Sequence, residues 1–112
     1  MTRFAISLLV VLGAAQVPAH GACTFPTATS VPDGSTATDE QMIAGQKAVK
    51  DYIAAIEAYQ GCLEKEQQAF GDAITDEQKE MQVKRYNASV DAMHDIANRF
   101  NEQLPAFKAM KK

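Results

Sequence analysis

The sequence has few of the side chains from which active sites are built. Its 112 residues include two histidines and two cysteines, and it has no glycine-rich phosphate-binding motif. His20 lies in the N-terminal segment described below, so His94 is the histidine left for acid–base or metal chemistry. Asp91, Asp95 and Asp51 are the carboxylates expected near it, too few for a metal site, and a solvated surface histidine is expected instead. The sequence therefore predicts no catalytic residue, no metal site and no bound cofactor.

Basic charge is also scarce. The chain has 11 lysines and arginines against 14 aspartates and glutamates. A nucleic-acid-binding domain carries a basic face, so this balance predicts no nucleic-acid partner. The one basic group, Lys108, Lys111 and Lys112, lies near the end of a predicted helix, where cations offset the negative end of the helix dipole.

A long hydrophobic run is missing outside the N-terminus. Residues 4–15 are almost entirely apolar, Arg3 precedes them, and small residues follow at 18–22. This order predicts a secretory signal peptide over residues 1–22, cleaved between Ala19 and Ala22. Because a membrane span needs roughly 20 apolar residues, no transmembrane segment is expected in the mature chain. The expected location is the periplasm or the exterior of the cell.

Cys23 and Cys62 are the two cysteines of the expected mature chain. An even number in an exported protein favours one disulfide between them. Lipidation of Cys23 is the alternative, because Gly21 and Ala22 fit a lipoprotein signal. It is less favoured, because His20 occupies the position where such signals have leucine.

The tetrapeptide Thr-Asp-Glu-Gln occurs twice, at residues 38–41 and 75–78. In each copy, Thr38 or Thr75 can cap a helix while Gln41 or Gln78 reaches back to the cap amide. The acidic residues between them face the positive end of the helix dipole. Two helices are predicted, at about residues 38–70 and 75–104, within a hairpin that covers residues 38–112.

Both predicted helices carry apolar residues with heptad spacing. Met42, Val49, Ile56, Leu63 and Phe70 form one ladder of the first helix, and Gly45, Tyr52 and Tyr59 form the other. The second helix has Val83, Val90, Ala97 and Leu104, with Tyr86, Met93, Phe100 and Phe107. An antiparallel hairpin brings these ladders level, with Leu63 facing Val83, Ile56 facing Val90, Val49 facing Ala97, Met42 facing Leu104, Tyr59 facing Tyr86, Tyr52 facing Met93 and Gly45 facing Phe100. Pro105 is expected to end or kink the second helix.

Residues 23–37 contain Pro26, Pro32 and the turn signal Asp33-Gly34, so they cannot form a helix. They predict an extended leader with a turn at residues 32–34. Fifteen residues of polyproline-like chain span about 46 Å, which is enough to reach Cys62, about 36 Å along the first helix. Gly61 is expected to allow the leader to approach there. The predicted fold is therefore all-α, a long antiparallel two-helix hairpin whose extended N-terminal leader is pinned by a disulfide.

The mature chain resembles a group of uncharacterised small exported helical proteins of Gram-negative bacteria. The resemblance is carried by Cys23-x-x-Pro26, Val31-Pro32-Asp33-Gly34, Ala37-Thr38, Tyr52, Tyr59, Cys62-Leu63, Asn87-Ala88 and Phe100-Asn101. It implies a periplasmic or secreted location and paired cysteines, and it supplies no active site. Separately, Ile74-Thr75-x-x-Gln78 is similar to the Leu-Thr-x-x-Gln motif of the Spy/CpxP family of periplasmic helical chaperones.

The apolar stripe of each helix is wider than one helix pair can bury. The leader, a second copy of the chain or a bound client could cover the excess. We therefore expect a non-catalytic exported protein with an interaction or structural role, acting on a protein partner or on itself. The alternative is a periplasmic stress chaperone resembling Spy.

Overall fold

The computed structural model describes residues 23–111, so the predicted signal peptide lies outside the described residues. Helix α1 spans Asp39–Phe70 and helix α2 spans Asp76–Met110, with a short 3₁₀ turn at Gly71–Ala73. The two helices pack against each other, and residues 23–111 contain no strand. Contacts between them run in opposite chain directions, because Phe100 lies beside Gly45 while Ser89 bonds Gln60. The predicted antiparallel helical hairpin is confirmed.

Both helices begin with the predicted capping boxes. The Thr38 hydroxyl accepts a hydrogen bond from the Gln41 amide at 3.1 Å, and the Gln41 side chain accepts one from the Thr38 amide at 2.8 Å. Thr75 and Gln78 form the same pair at 3.1 Å and 2.9 Å. Each box satisfies two of the amides that a helix N-terminus leaves without an intrahelical partner. The predicted roles of these four residues are confirmed.

The chain reverses direction at Gly71, which caps the end of α1. Its φ of 55° lies in the left-handed region, where a side chain would be strained. Its amide donates to the carbonyls of Gln67 and Gln68, which closes the last turn of α1. The next helix then starts at the Thr75 cap.

The predicted face of α1 is the one that it buries. The buried residues of this helix are Met42, Gly45, Val49, Tyr52, Ile56, Tyr59 and Leu63. They are the two heptad ladders named above, except for Phe70, which is half-buried at the end of the helix. Ile56 and Leu63 are almost completely buried, at 0% and 2% exposure. The sequence pattern therefore located the core-facing side of α1 correctly.

The predicted face of α2 is correct in the C-terminal half, where Phe100 is buried and Met93, Leu104 and Phe107 pack on the core, and wrong in the N-terminal half. Gln82, Ser89, Ile96 and Phe100 are buried, whereas Val83 and Tyr86 are 59% and 45% exposed. The predicted burial of Val83 against Leu63 and of Tyr86 against Tyr59 does not occur.

The leader packs against α1 on one side of the helix pair. Tyr59 packs against Phe25 of the leader, with ring centroids 5.1 Å apart. Phe25 of the leader therefore occupies the position beside Tyr59 that the heptad pattern predicted for Tyr86.

The leader runs along the hairpin from Cys62, in the half of α1 nearer the turn, to the open end, where α1 begins. Cys23 is joined to Cys62 by the predicted disulfide. Pro32 packs on Gly45, and Gly34 packs on the backbone of α2 at Gln103. The leader bends at residues 34–36, slightly later than predicted, where the Asp33 carbonyl accepts bonds from the amides of Thr36 and Ala37.

Two local predictions need correction. Nothing lies within 4 Å of a Cβ placed on Gly61, so this glycine does not serve the approach of the leader. Helix α2 does not end at Leu104 but continues through Pro105 to Met110. Proline removes one helix hydrogen bond, but Leu104 and Phe107 pack on the core from both sides of it. This packing holds the last turns in place.

Candidate functional site

The hairpin has a groove on each side of the line where α1 meets α2. The leader fills one of them. In the part of the chain that the structure describes, the other groove is uncovered and is called the open face below. Two cavities mark it, one at the open end of the hairpin and one at the turn end.

The open-end cavity has a volume of about 470 Å³, within the range of ligand-binding pockets. Most of its lining is apolar and comes from both helices: Met42, Ile43, Val49, Ala97, Phe100, Leu104 and Phe107. Ile43 is 68% exposed and extends this apolar lining to the surface of the protein. The cavity is a groove that is continuous with the core, and its outer wall is missing.

Charged side chains border this cavity. Lys111 forms an ion pair with Asp39 at 2.6 Å, and its ammonium lies 4.7 Å from the centre of the Phe107 ring. These contacts tie the last turn of α2 to the first turn of α1. Lys50 lines the opposite end of the cavity. The apolar floor therefore lies between two cationic side chains, one of which already has an anionic partner.

The turn-end cavity has a volume of about 480 Å³ and is lined by Leu63, Glu64, Gln67, Lys79, Gln82, Val83, Tyr86 and Asn87. It lies on the same side of α1 as the first cavity, because Ile43, Lys50 and Glu64 are separated by whole heptads. Val83, Ala97 and Leu104 show the same relation on α2. The open face therefore extends along most of the hairpin.

A polar contact joins the helices between the two cavities. The Gln60 amide donates to the Ser89 hydroxyl at 2.9 Å and lies 3.7 Å from the Met93 sulfur. The Ser89 hydroxyl is fully buried and donates to the Tyr86 carbonyl. Among residues 23–111, no buried side-chain polar atom lacks a hydrogen-bond partner. Gln60 and Ser89 thus set the alignment of the helices without leaving an unsatisfied group.

On the side of the hairpin that the leader covers, Arg85 of α2 holds the start of the leader. Its guanidinium donates to the Tyr59 hydroxyl at 3.2 Å, to the Glu66 carboxylate at 3.2 Å and to the Cys23 carbonyl at 3.3 Å. Burial lowers the pKa of Arg85, but Tyr59 and Glu66 outweigh that effect, so the pKa is raised overall. The guanidinium stays charged and holds the leader beside the disulfide.

Arg85 lies outside the predicted heptad ladders, so the apolar pattern does not indicate its role. A signal was available, because Arg85 is an arginine one position from Tyr86, which the heptad pattern sets level with Tyr59. A long donor at that position can reach a tyrosine hydroxyl and a carboxylate together.

The residues considered for metal binding do not form a site. His94, Asp91 and Asp95 are all exposed, and Asp95 forms an ion pair with Arg99 at 3.0 Å. Asp51 pairs with Lys47 on the same helix. Within residues 23–111, no three histidine, cysteine or acidic side chains come together as metal ligands would.

Neither described helix is long and apolar enough to cross a membrane. Comparison with protein-family models, with characterised proteins and with solved structures finds no match to this chain.

Proposed function

We propose that the chain is a non-catalytic exported protein that acts by binding another polypeptide through its open face. The main support is that the two grooves of the hairpin differ. The leader and a disulfide cover one groove, whereas the other keeps an apolar floor with Ile43 and Val83 exposed at its two ends. Exposed apolar patches of this kind mark interaction surfaces. A groove between two helices fits an apolar helix, which packs into it as a third helix.

Export is supported by the N-terminal signal pattern and by the disulfide. Disulfides form and persist in oxidising compartments such as the periplasm. The likeness to small exported proteins of Gram-negative bacteria favours the same location. Cell fractionation of the full-length chain is expected to place it in the periplasm or the medium, with a mass that corresponds to cleavage between residues 19 and 23. A mass that includes a diacylglycerol group on Cys23 would show that this residue carries a lipid anchor instead of forming the disulfide.

Site-specific photo-cross-linking in the native envelope tests the binding role. A photoreactive residue is placed at Ile43 or at Val83 on the open face. Ala54 provides the matched control, because it is exposed on the polar side of α1. One defined product is expected from both open-face positions and none from Ala54. Equal cross-linking from all three positions, or none from any, would contradict the proposal.

A Spy-like chaperone is the second candidate. It is favoured by the Ile74-Thr75-x-x-Gln78 motif together with the open apolar face. Thr75 and Gln78 are already used as a helix cap, so the motif by itself carries little weight. Aggregation of a reduced, unfolded client, followed by light scattering, separates the two candidates. Suppression at near-stoichiometric amounts favours the chaperone, and unchanged aggregation leaves only the specific interaction protein.

A further inference from the structure

We propose that a second copy of this chain occupies the open face, in a two-fold antiparallel pairing that completes a four-helix bundle. This inference rests on the proposed function and names its partner. A two-fold pairing requires one surface that complements itself. The charges, the cavity positions and the size of the open face each meet this requirement.

The charges on α1 complement each other when two copies pair in opposite directions. Lys50, Glu57 and Glu64 are exposed and lie seven residues apart, so they form one line along the edge of the open face. A two-fold axis parallel to the helices would stack α1 on α2 of the second copy, so these charges would not meet one another. Antiparallel pairing brings the lysine of one copy to the glutamates of the other.

The positions of the two cavities set the alignment. The open-end cavity uses residues 39–50 of α1 and the turn-end cavity uses residues 63–67. A two-fold axis that exchanges them passes near residue 55, which sets Lys50 of one copy level with about residue 60 of the other. Lys50 then lies within roughly one helical turn of both Glu57 and Glu64 of the second copy. The two Glu57 side chains also lie about one turn apart, so one repulsive contact accompanies the attractive pairs that each Lys50 makes.

The same two-fold axis also places the exposed apolar side chains of each copy opposite the cavities of the other. Val83 and Tyr86, exposed at the turn end of one copy, meet the open-end cavity of the other. Ile43 meets the turn-end cavity in return. Each end therefore supplies both a protruding side chain and a recess, and the exchange is reciprocal as two-fold symmetry demands.

The size of the open face is sufficient. Thirty-two residues of α1 extend over about 48 Å, and two packed helices lie about 9 Å apart. A face of this length and two helices wide offers on the order of 800 Å² per copy, which is the area of a stable interface. Pairing two hairpins in this way gives the four-helix bundle, a common way of burying apolar helix stripes.

Charge-swapped variants of the oxidised mature chain test the proposal by sedimentation velocity across a dilution series. Wild type is expected to be a dimer. Lys50→Glu makes the line of charges wholly acidic, and Glu57→Lys with Glu64→Lys makes it wholly basic. For each variant alone, the dissociation constant of the dimer is expected to be about tenfold higher or more than that of wild type, because like charges now meet across the interface.

An equimolar mixture of the two variants is expected to form a heterodimer as stable as the wild-type dimer. Lys65→Glu, an equivalent charge reversal at an exposed position away from both cavities, is expected to leave the dimer unchanged. Circular dichroism checks that every variant is folded. A wild-type monomer at all concentrations, or a mixture that stays monomeric, would overturn the pairing.

The outcome separates this inference from the proposed function. If wild type is monomeric but Ile43 and Val83 still cross-link to one other protein in the envelope, the open face binds a different partner and only the second-copy proposal fails. If wild type is monomeric and nothing cross-links at either position, both fail.

Discussion

Gly34 lies where the leader crosses α2. A Cβ at this position would overlap the carbonyl oxygen of Gln103 and lie 3.0 Å from the Phe107 nitrogen. Both atoms belong to a helix backbone, which cannot move aside as a side chain can. Gly34→Ala is therefore expected to lower the free energy of unfolding by about 1–3 kcal/mol, the usual cost of overpacking. Urea denaturation of the purified protein measures the change.

Gly61→Ala is the matched control for that substitution. Gly61 lies inside α1, and a Cβ there meets nothing within 4 Å. Alanine in a helix interior is more stable than glycine by roughly 0.5–1 kcal/mol, so Gly61→Ala is expected to stabilise the protein. The same chemical change thus acts in opposite directions at two positions. Equal effects at both would show that the leader does not pack closely on α2.

Asp33 makes the leader turn sensitive to acid. Its carboxylate accepts hydrogen bonds from the Ser35 hydroxyl at 2.6 Å and from the Ser35 amide at 2.9 Å. These bonds favour the charged form and hold the pKa of Asp33 below its ordinary value of 3.8, with the hydroxyl contributing most. A lowered pKa in the folded state means that the contribution to stability is complete above pH 3.8 and is lost as the pH falls through the folded value.

The Asp33 prediction is checked by NMR titration of its carboxyl carbon. Removing the hydroxyl by Ser35→Ala is expected to raise the pKa of Asp33 toward 3.8, because only the amide bond remains. Thr36→Ala is a suitable control, because the Thr36 hydroxyl contacts the Asp33 carbonyl and not its carboxylate. A pKa that does not move in the Ser35→Ala variant would exclude the side-chain bond.

At the scale of the helices, the sequence predicted α1 more accurately than α2. Helix α1 has apolar residues at each position of its ladders apart from Gly45, and the heptad pattern identifies them directly. The buried positions of α2 include Gln82 and Ser89, which a hydrophobic pattern assigns to solvent. Their burial depends on partners elsewhere in the fold, such as Gln60. Local periodicity contains no information on such long-range hydrogen bonds.

The Gln60–Ser89 contact gives a prediction for the helix pair as a unit. Ser89→Ala leaves the half-buried Gln60 amide with only the Met93 sulfur as a weak acceptor and is expected to lower the free energy of unfolding by about 1–2 kcal/mol. Adding Gln60→Leu removes both polar groups, and the double variant is expected to regain most of that loss. Urea denaturation of the two single variants and the double variant completes the cycle. Additive losses in the double variant would mean that the contact contributes nothing to the pairing of the helices.

For the whole molecule, the sequence predicted the antiparallel hairpin, the extended leader and its disulfide, but not the exposure of Val83 and Tyr86 or the continuation of α2 past Pro105. The reach of residues 23–37 and the pairing of Cys23 with Cys62 followed from chain length and cysteine count, and both are confirmed. Cys62 is separated by whole heptads from Gln41 and Ala48, which border the leader, so the predicted disulfide already indicates the groove that the leader covers. The contact of Phe25 with Tyr59 and the bond from Arg85 to the Cys23 carbonyl then hold the leader there. The open face is the groove that these contacts leave uncovered.

The disulfide is expected to hold the leader on the hairpin without being needed for the helices themselves. Closing a loop with a sequence separation of 39 residues contributes about 4 kcal/mol at most through loop entropy, so replacing both cysteines by serine is expected to remove about 2–4 kcal/mol. Both capping boxes and the turn at Gly71 lie outside the leader, so far-ultraviolet circular dichroism of the double variant is expected to stay helical at 25 °C. Its melting temperature is expected to fall by about 10 °C or more. Reductant is expected to lower the melting temperature of wild type to that of the double variant and to leave the double variant unchanged. If wild type and the double variant melt at the same temperature without reductant, the leader stays in place without its covalent link.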